Sequence, residues 1–466
     1  MCPSPGTTNL SPKTIMKAFK AYDIRGVYGT DFDRNAVYRI GFFLPRLFGA
    51  KTIAVGCDAR LSSPEISQTL LQGITDSGAD VHYYGLSTTP FMYWVTARNG
   101  YETSVMITAS HNPKNHNGLK ISAKNAAPVG YDNGLNKLEH WVETENPIPV
   151  ANKGAVTNLE GTLKNDYLAF QKRYLGQLDG LKMVVDCSNG MANLFVKDLL
   201  PPDVTYIADT IDGTFPCHEP NPLEPANIVA LQQKVLETHA DIGVIYDGDA
   251  DRVMFVDENA RFVSPDLMIG LLATHLLKNN GSRPKVLQDI RTSKAVAELI
   301  DELGGEPCIW RVGRAYAAAK LREIDGLFGG ELAGHYYFRD FYYSDSGIMA
   351  SLLILSIIAQ RHRDGQTFSQ VMNSIARYKN SGEINFTIDR KQEAMDLVKN
   401  HFCNAEKPTR FLDFDGYRVE YPHWWFNIRP SNTEPYLRLI LEADTDELLA
   451  QKTAEIKQLL NPFVCK

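Results

Sequence analysis

The chain alternates short apolar runs with amphipathic stretches, the pattern of buried strands with helices packed on them. Lys51 to Asp58 reads as a strand, Ser63-Pro64 as a helix start, Ile66, Leu70 and Ile74 as one apolar helix face, and Val81 to Tyr84 as a second strand. Comparable units recur at Leu181 to Ala208, with the strand Met183-Val184-Val185, and at Pro284 to Val312, with the strand Val286-Leu287. This weak internal periodicity predicts three related α/β domains with mixed, mainly parallel sheets. Near residue 375 the order changes. Strand Glu383 to Ile388, helix Gln392 to Phe402, several short strands and helix Asp446 to Leu460 predict a C-terminal α+β domain. Turn signals at Pro147, Pro149 and Asn152-Lys153-Gly154 mark the first boundary. The expected division is 1–154, 155–257, 258–373 and 374–466, arranged around a central cleft, and 466 residues exceed what one core usually supports.

Composition narrows the class. Hydrophobic residues at 44% and charged residues at 22% are ordinary for a soluble globular protein. The longest apolar stretch, Gly347 to Ala359, falls short of the ~18 residues of a membrane-spanning helix and is expected to be a buried core helix. Residues 1 to 15 contain Pro, Ser and Thr without a signal-peptide apolar region, so a frayed tail is expected. The seven cysteines, at 2, 57, 187, 217, 308, 403 and 465, are odd in number and lack metal-ligand spacing, as do reduced thiols of a cytoplasmic protein. A net charge of −7 argues against a nucleic-acid partner. It leaves a small anionic substrate open, because a cluster of arginines sets the field of a cleft whatever the total charge.

Four loops hold the candidate chemistry. Val105-Met106-Ile107 runs out into Thr108-Ala109-Ser110-His111-Asn112-Pro113. A serine at a strand end is commonly a turn residue, but Asn112-Pro113 disfavours helix and holds the loop extended, so the Ser110 hydroxyl projects. His111 and Lys120 are candidates for proton transfer or for holding phosphoryl charge. The second loop, Asp247-Gly248-Asp249-Ala250-Asp251-Arg252, follows the strand Ile242 to Tyr246. Carboxylates at i, i+2 and i+4 can converge on one hard cation, expected to be Mg²⁺, and three acids leave room for an oxygen of a phosphate on Ser110. Arg252 would face that phosphate. An EF-hand also begins Asp-x-Asp-x-Asp, with Glu258 at the twelfth place, but it needs Gly where Arg252 stands and helical flanks where these read as strand. In the third loop, Gly329-Gly330-Glu331-Leu332-Ala333-Gly334-His335, Glu331 is a carboxylate able to accept two hydrogen bonds and His335 can add another polar contact. Arg291 and Arg314 each stand at a strand end. The fourth loop, Arg429-Pro430-Ser431-Asn432-Thr433-Glu434-Pro435, offers a guanidinium, two hydroxyls, an amide and loop N–H groups to a phosphate.

Together these motifs, from Ala21 to about Ala443, resemble those of the α-D-phosphohexomutase family, most closely its phosphomannomutase/phosphoglucomutase group. The resemblance implies that Ser110 carries a phosphoryl group, that Lys120 is a general acid/base, that Arg25 reaches into the site and that Tyr22 lies near the phosphate. It further implies sugar contacts from Glu331, Ala333 and His335, phosphate or hydroxyl contacts from Arg291 and Arg314, and phosphate contacts from Arg429, Ser431, Asn432 and Thr433. Arg291 stands where the family commonly has Lys, Arg314 where it often has His, and Ala333 where Ser is usual, so charge is kept and one hydroxyl is lost. The implied reaction moves a phosphoryl group reversibly between O1 and O6 of an α-D-hexose phosphate, of mannose or glucose. It passes through hexose 1,6-bisphosphate, which also acts as activator, with Mg²⁺ bound to a monomer or weak homo-oligomer. A hinge near residue 375 is expected to let the last domain close. The alternatives are a mutase for amino-sugar phosphates and a catalytically silent phosphosugar-binding regulatory protein.

Overall fold

The computed structural model of the chain describes residues 17–278, 283–431 and 435–465. The expected frayed tail, Asn432 and Thr433 lie outside the described residues. Three sheets follow one plan. In the first, Asp80–Leu86 and Thr103–Ile107 flank Thr52–Cys57 in parallel, and His116–Ala123 then returns antiparallel along Thr103–Ile107. In the second, Thr205–Ile207 and Ile242–Tyr246 flank Met183–Asp186 in parallel, and Val253–Asp257 returns antiparallel along Ile242–Tyr246. In the third, Glu306–Trp310 and Phe328–Gly330 flank Lys285–Asp289 in parallel, and Tyr336–Phe338 returns antiparallel along Phe328–Gly330.

The sheets are therefore parallel at the centre and antiparallel along one edge. Ser110, the acidic triplet and Glu331 all lie on the connection from the last parallel strand to its antiparallel return. That connection leaves the carboxyl end of the strand, where α/β sheets place their ligand sites. Two edge strands extend the first two sheets: Val156–Asn158 pairs with Asp80–Leu86, and Phe262–Val263 pairs with Val253–Asp257.

One apolar core is shared between the helix Thr89–Arg98 of the first unit and the second and third units, with the helix Gly347–Arg363 buried through most of its length. Ile24, Val37, Ile53 and Ile107 belong to a separate core on the other face of the first sheet. The fourth unit is a wholly antiparallel sheet carrying the helices Lys391–Ala405 and Asp446–Leu460, and it has its own core around Val398, Phe426 and Leu439. The described cysteines are free thiols. No helix among the described residues is long and apolar enough to cross a membrane.

Candidate active site

Ser110 is buried and sits at φ 51°, a left-handed backbone that costs an L-residue with a side chain roughly 1–2 kcal/mol. Two neighbours hold it there. Thr108 Oγ1 accepts from Ser110 N at 2.9 Å, and Arg60 donates to the Ser110 carbonyl at 2.7 Å. Arg60 also donates to the carbonyls of Asn112 and Pro113 at 2.7 Å each and of His116 at 3.0 Å, so one buried guanidinium fixes the course of the whole loop. With the backbone set, Ser110 Oγ donates to Asp247 Oδ2 at 2.6 Å and lies 3.3 Å from His111 Nδ1. Arg25, on the strand Ile24–Val27, donates to Asn112 Oδ1 at 3.1 Å and pairs with Asp23 at 2.6 Å. Burial first, then Arg252 and Arg25, pushes the His111 pKa well below its ordinary value, so the ring is neutral at neutral pH.

The acidic loop meets the serine loop backbone to backbone. A Cβ on Gly248 would lie 2.6 Å from the Ser110 carbonyl oxygen, so the approach needs glycine at this position. Asp247, Asp249 and Asp251 are all fully buried and can bring one oxygen each to within 4.8 Å of one another. Burial, then the charges of Asp249 and Asp251, drives the Asp247 pKa well up. Lys120 bridges the other two, donating to Asp249 Oδ2 at 2.6 Å and to Asp251 Oδ2. Burial alone would lower the Lys120 pKa, but Asp249 and Asp251 outweigh it and hold the ammonium charged. Oδ1 of Asp249 and Oδ1 of Asp251 are buried without a hydrogen-bond partner among the described residues. Orphaned buried carboxylate oxygens are costly in protein and suit a hard cation, so the donor set fits a divalent metal ion.

The third loop leans on both. Arg252 Nε donates to His335 Nε2 at 2.9 Å, and because that nitrogen of arginine only donates, the His335 proton sits on Nδ1, which donates to Asp345 at 2.6 Å. Glu331 accepts from Gly313 N at 2.7 Å and from the Tyr337 hydroxyl at 2.5 Å, while Ala333 is half-buried on the same turn. Arg291 forms a two-point pair with Asp289, at 3.1 and 2.7 Å. Arg314 is directed to the buried Tyr93 hydroxyl. Burial opposes the Arg314 charge, but Tyr93, Asp345 and Asp251 keep its pKa raised. Tyr22 packs edge-on against Tyr316 and donates to the Val312 carbonyl at 3.3 Å.

In the fourth unit Arg429 is buried, donates through Nε to Asp415 at 3.1 Å and has a terminal nitrogen with no partner among the described residues. Burial lowers its pKa, Asp415 opposes that, and nearby Arg291 adds to the lowering, which places the two guanidinium groups in one field. Asp415 also accepts from Val312 N at 2.7 Å, and so joins the fourth unit to the third. Ser431 N donates to the Tyr436 carbonyl at 2.9 Å at the start of the fourth loop. Sequence reasoning missed Arg60, Thr89 and Asp415. A short Asp-Ala-Arg turn, a Thr-Pro helix start and an Asp-Gly turn were their only local signals.

Four family profiles match in chain order. They are the phosphoglucomutase/phosphomannomutase α/β/α domains I (residues 16–147), II (165–260) and III (264–378) and the C-terminal domain (383–459). A phosphomannomutase of Methanocaldococcus jannaschii is 34% identical, over 96% of this chain and 98% of its own. A protein named phosphohexose mutases from Xanthomonas campestris pv. campestris is 36% identical, over 96% and 99%. The crystal structure of a phosphoglucomutase/phosphomannomutase family protein from Burkholderia thailandensis superposes with a TM-score of 0.84 at 28% identity, covering 96% of this chain and 97% of that one.

Proposed function

Since the chain belongs to the phosphoglucomutase/phosphomannomutase family and is a phosphosugar mutase, we propose that it moves a phosphoryl group reversibly between O1 and O6 of an α-D-hexose phosphate, through phosphorylated Ser110 and a hexose 1,6-bisphosphate. Mannose and glucose phosphates are the proposed substrates. The observation that carries the reading is the 2.6 Å hydrogen bond from Ser110 Oγ to Asp247, which joins a hydroxyl of the first unit to a carboxylate of the second.

In the first half-reaction the bond from phosphorus to Ser110 Oγ breaks as one forms to the free hydroxyl oxygen of the sugar. That hydroxyl gives up its proton, and the departing Ser110 oxyanion regains one. Neutral His111, 3.3 Å from Oγ, is placed to exchange the proton. Lys120, a buried cation that pairs with Asp249 and Asp251 in the structure and can swing on its long stem, would bear charge on the transferring group. After the bisphosphate turns over, the second half runs the first in reverse with the other phosphate. A divalent cation, for which we propose Mg²⁺, held by Asp247, Asp249 and Asp251, would neutralise charge on the transferring group.

Arg429, Ser431, Asn432 and Thr433 would hold the phosphate that is not in transfer, and each charge-assisted hydrogen bond contributes about 1.5–3 kcal/mol. Glu331 presents its carboxylate to ring hydroxyls, and Arg252, Arg291 and Arg314 supply positive field. Closure about the segment near residue 375 would keep water, the competing nucleophile, out. The test is turnover of mannose 1-phosphate, glucose 1-phosphate and glucosamine 1-phosphate with Mg²⁺ and bisphosphate added. Isomerisation of mannose or glucose phosphate is expected. Strong preference for the amino sugar would move the substrate class, and no turnover of any would leave a phosphosugar-binding protein.

A further inference from the structure

The acidic triplet offers six carboxylate oxygens, and a small octahedral cation takes one from each acid rather than two from any. What selects the oxygen is visible at Asp249. Its Oδ2 accepts from Lys120 at 2.6 Å and from Thr89 Oγ1 at 2.5 Å, while Oδ1 has no hydrogen-bond partner among the described residues. The two donors are not equivalent. The Lys120 ammonium has the same sign as the cation and competes with it for Asp249 and Asp251, and its long stem lets it withdraw. Thr89 is neutral, fully buried and β-branched, with little rotamer freedom. Its backbone N–H also donates to the Asp249 carbonyl at 3.1 Å, so Thr89 grips Asp249 at two points from the start of the helix Thr89–Arg98.

We propose that Thr89 is a positioning residue for the cation site: by occupying Oδ2 it makes Asp249 a one-oxygen ligand, and so sets the site for Mg²⁺ over larger ions such as Ca²⁺. The proposal rests on the reading of the triplet as a cation site. Without the hydroxyl, Asp249 is free to turn and present both oxygens, a mode that Ca²⁺ accepts and Mg²⁺ does not. The contact also crosses from the first unit to the second, which ties metal geometry to the seating of the serine loop.

The test is direct binding of MgCl₂ and of CaCl₂ to the full-length dephosphorylated protein by calorimetry, with no substrate present. Thr89→Val is expected to lower Mg²⁺ affinity by about tenfold or more, the usual scale for losing a partner of a metal ligand, and to lower Ca²⁺ affinity less, while Thr89→Ser keeps both near the original values. Because the readout is a ratio of two affinities within one preparation, a partly unfolded sample leaves it interpretable. Should Thr89→Val fail to fold, Thr89→Ala removes the same hydroxyl with less demand on packing. An unchanged Mg²⁺ to Ca²⁺ ratio in either folded variant overturns the role of Thr89 and leaves the cation site standing. If instead the unaltered protein shows no Mg²⁺ binding that Asp251→Asn removes, the cation site itself is wrong and the role of Thr89 falls with it.

Discussion

Ser110 holds a left-handed backbone beside a metal-type acidic cluster, and that conformation persists because Thr108 and Arg60 over-determine it. Replacing Arg60 with Met strips four carbonyls of their donor at once. Turnover is expected to fall by about a hundredfold or more with a smaller change in KM, because the loss is of nucleophile geometry. Steady-state kinetics check this, and Arg60→Lys should recover little, since a point charge cannot serve a fork of acceptors. A second buried pair makes a pH claim. Burial alone would lower the His218 pKa, but its bond to Asp186 at 3.1 Å wins and the value is raised. A raised histidine stabilises fully below its unfolded value, about 6.5, and loses that contribution as pH rises through the folded value. His218→Asn should therefore cost about 1–2 kcal/mol near pH 5.5 and clearly less near pH 8.5, as read by urea unfolding at each pH. Ser110 and the three acids were legible because each announces itself locally, by strand end, turn or spacing. Arg60 was not, because its acceptors begin fifty residues later, at Ser110, and become neighbours only when the sheet forms.

At the scale of elements, the same strand-to-return connection is used three times, once for Ser110, once for the acids and once for Glu331. The strand, helix, strand repeats were readable from periodicity. The antiparallel returns were not, because fully buried strands such as Val253–Asp257 read as plain apolar runs with no direction. What brings two of the connections together is the contact at Gly248. Gly248→Ala would drive a methyl to 2.6 Å from the Ser110 carbonyl and must push the loops apart. The expected outcome is a loss of turnover of about tenfold or more with the fold retained, measured by steady-state kinetics alongside circular dichroism.

Over the whole molecule, the fourth unit has its own core and meets the third through the Trp310 and Phe414 rings, 5.5 Å apart, and through polar contacts. Arg418 donates to the carbonyls of Ile290 and Thr292 at 2.8 and 2.7 Å, Ser293 to Glu442 at 2.9 Å, and Val312 N to Asp415 at 2.7 Å. Polar contacts can be exchanged as domains move, which fits the closure proposed above. Asp415 would report that closure, since one carboxylate aims Arg429 and ties it to the third unit. Asp415→Ala should raise KM for the sugar phosphate by about tenfold, with a smaller fall in kcat, in steady-state assays. The covalent handover at Ser110 is met head on by one measurement. Protein exposed to hexose 1,6-bisphosphate carrying labelled phosphate is digested and the labelled peptide mapped. Label is expected on Ser110, discharged by mannose 1-phosphate or glucose 1-phosphate with formation of labelled bisphosphate, and none on the Ser110→Ala variant. Label on a different residue, or undiminished turnover by Ser110→Ala, would contradict it.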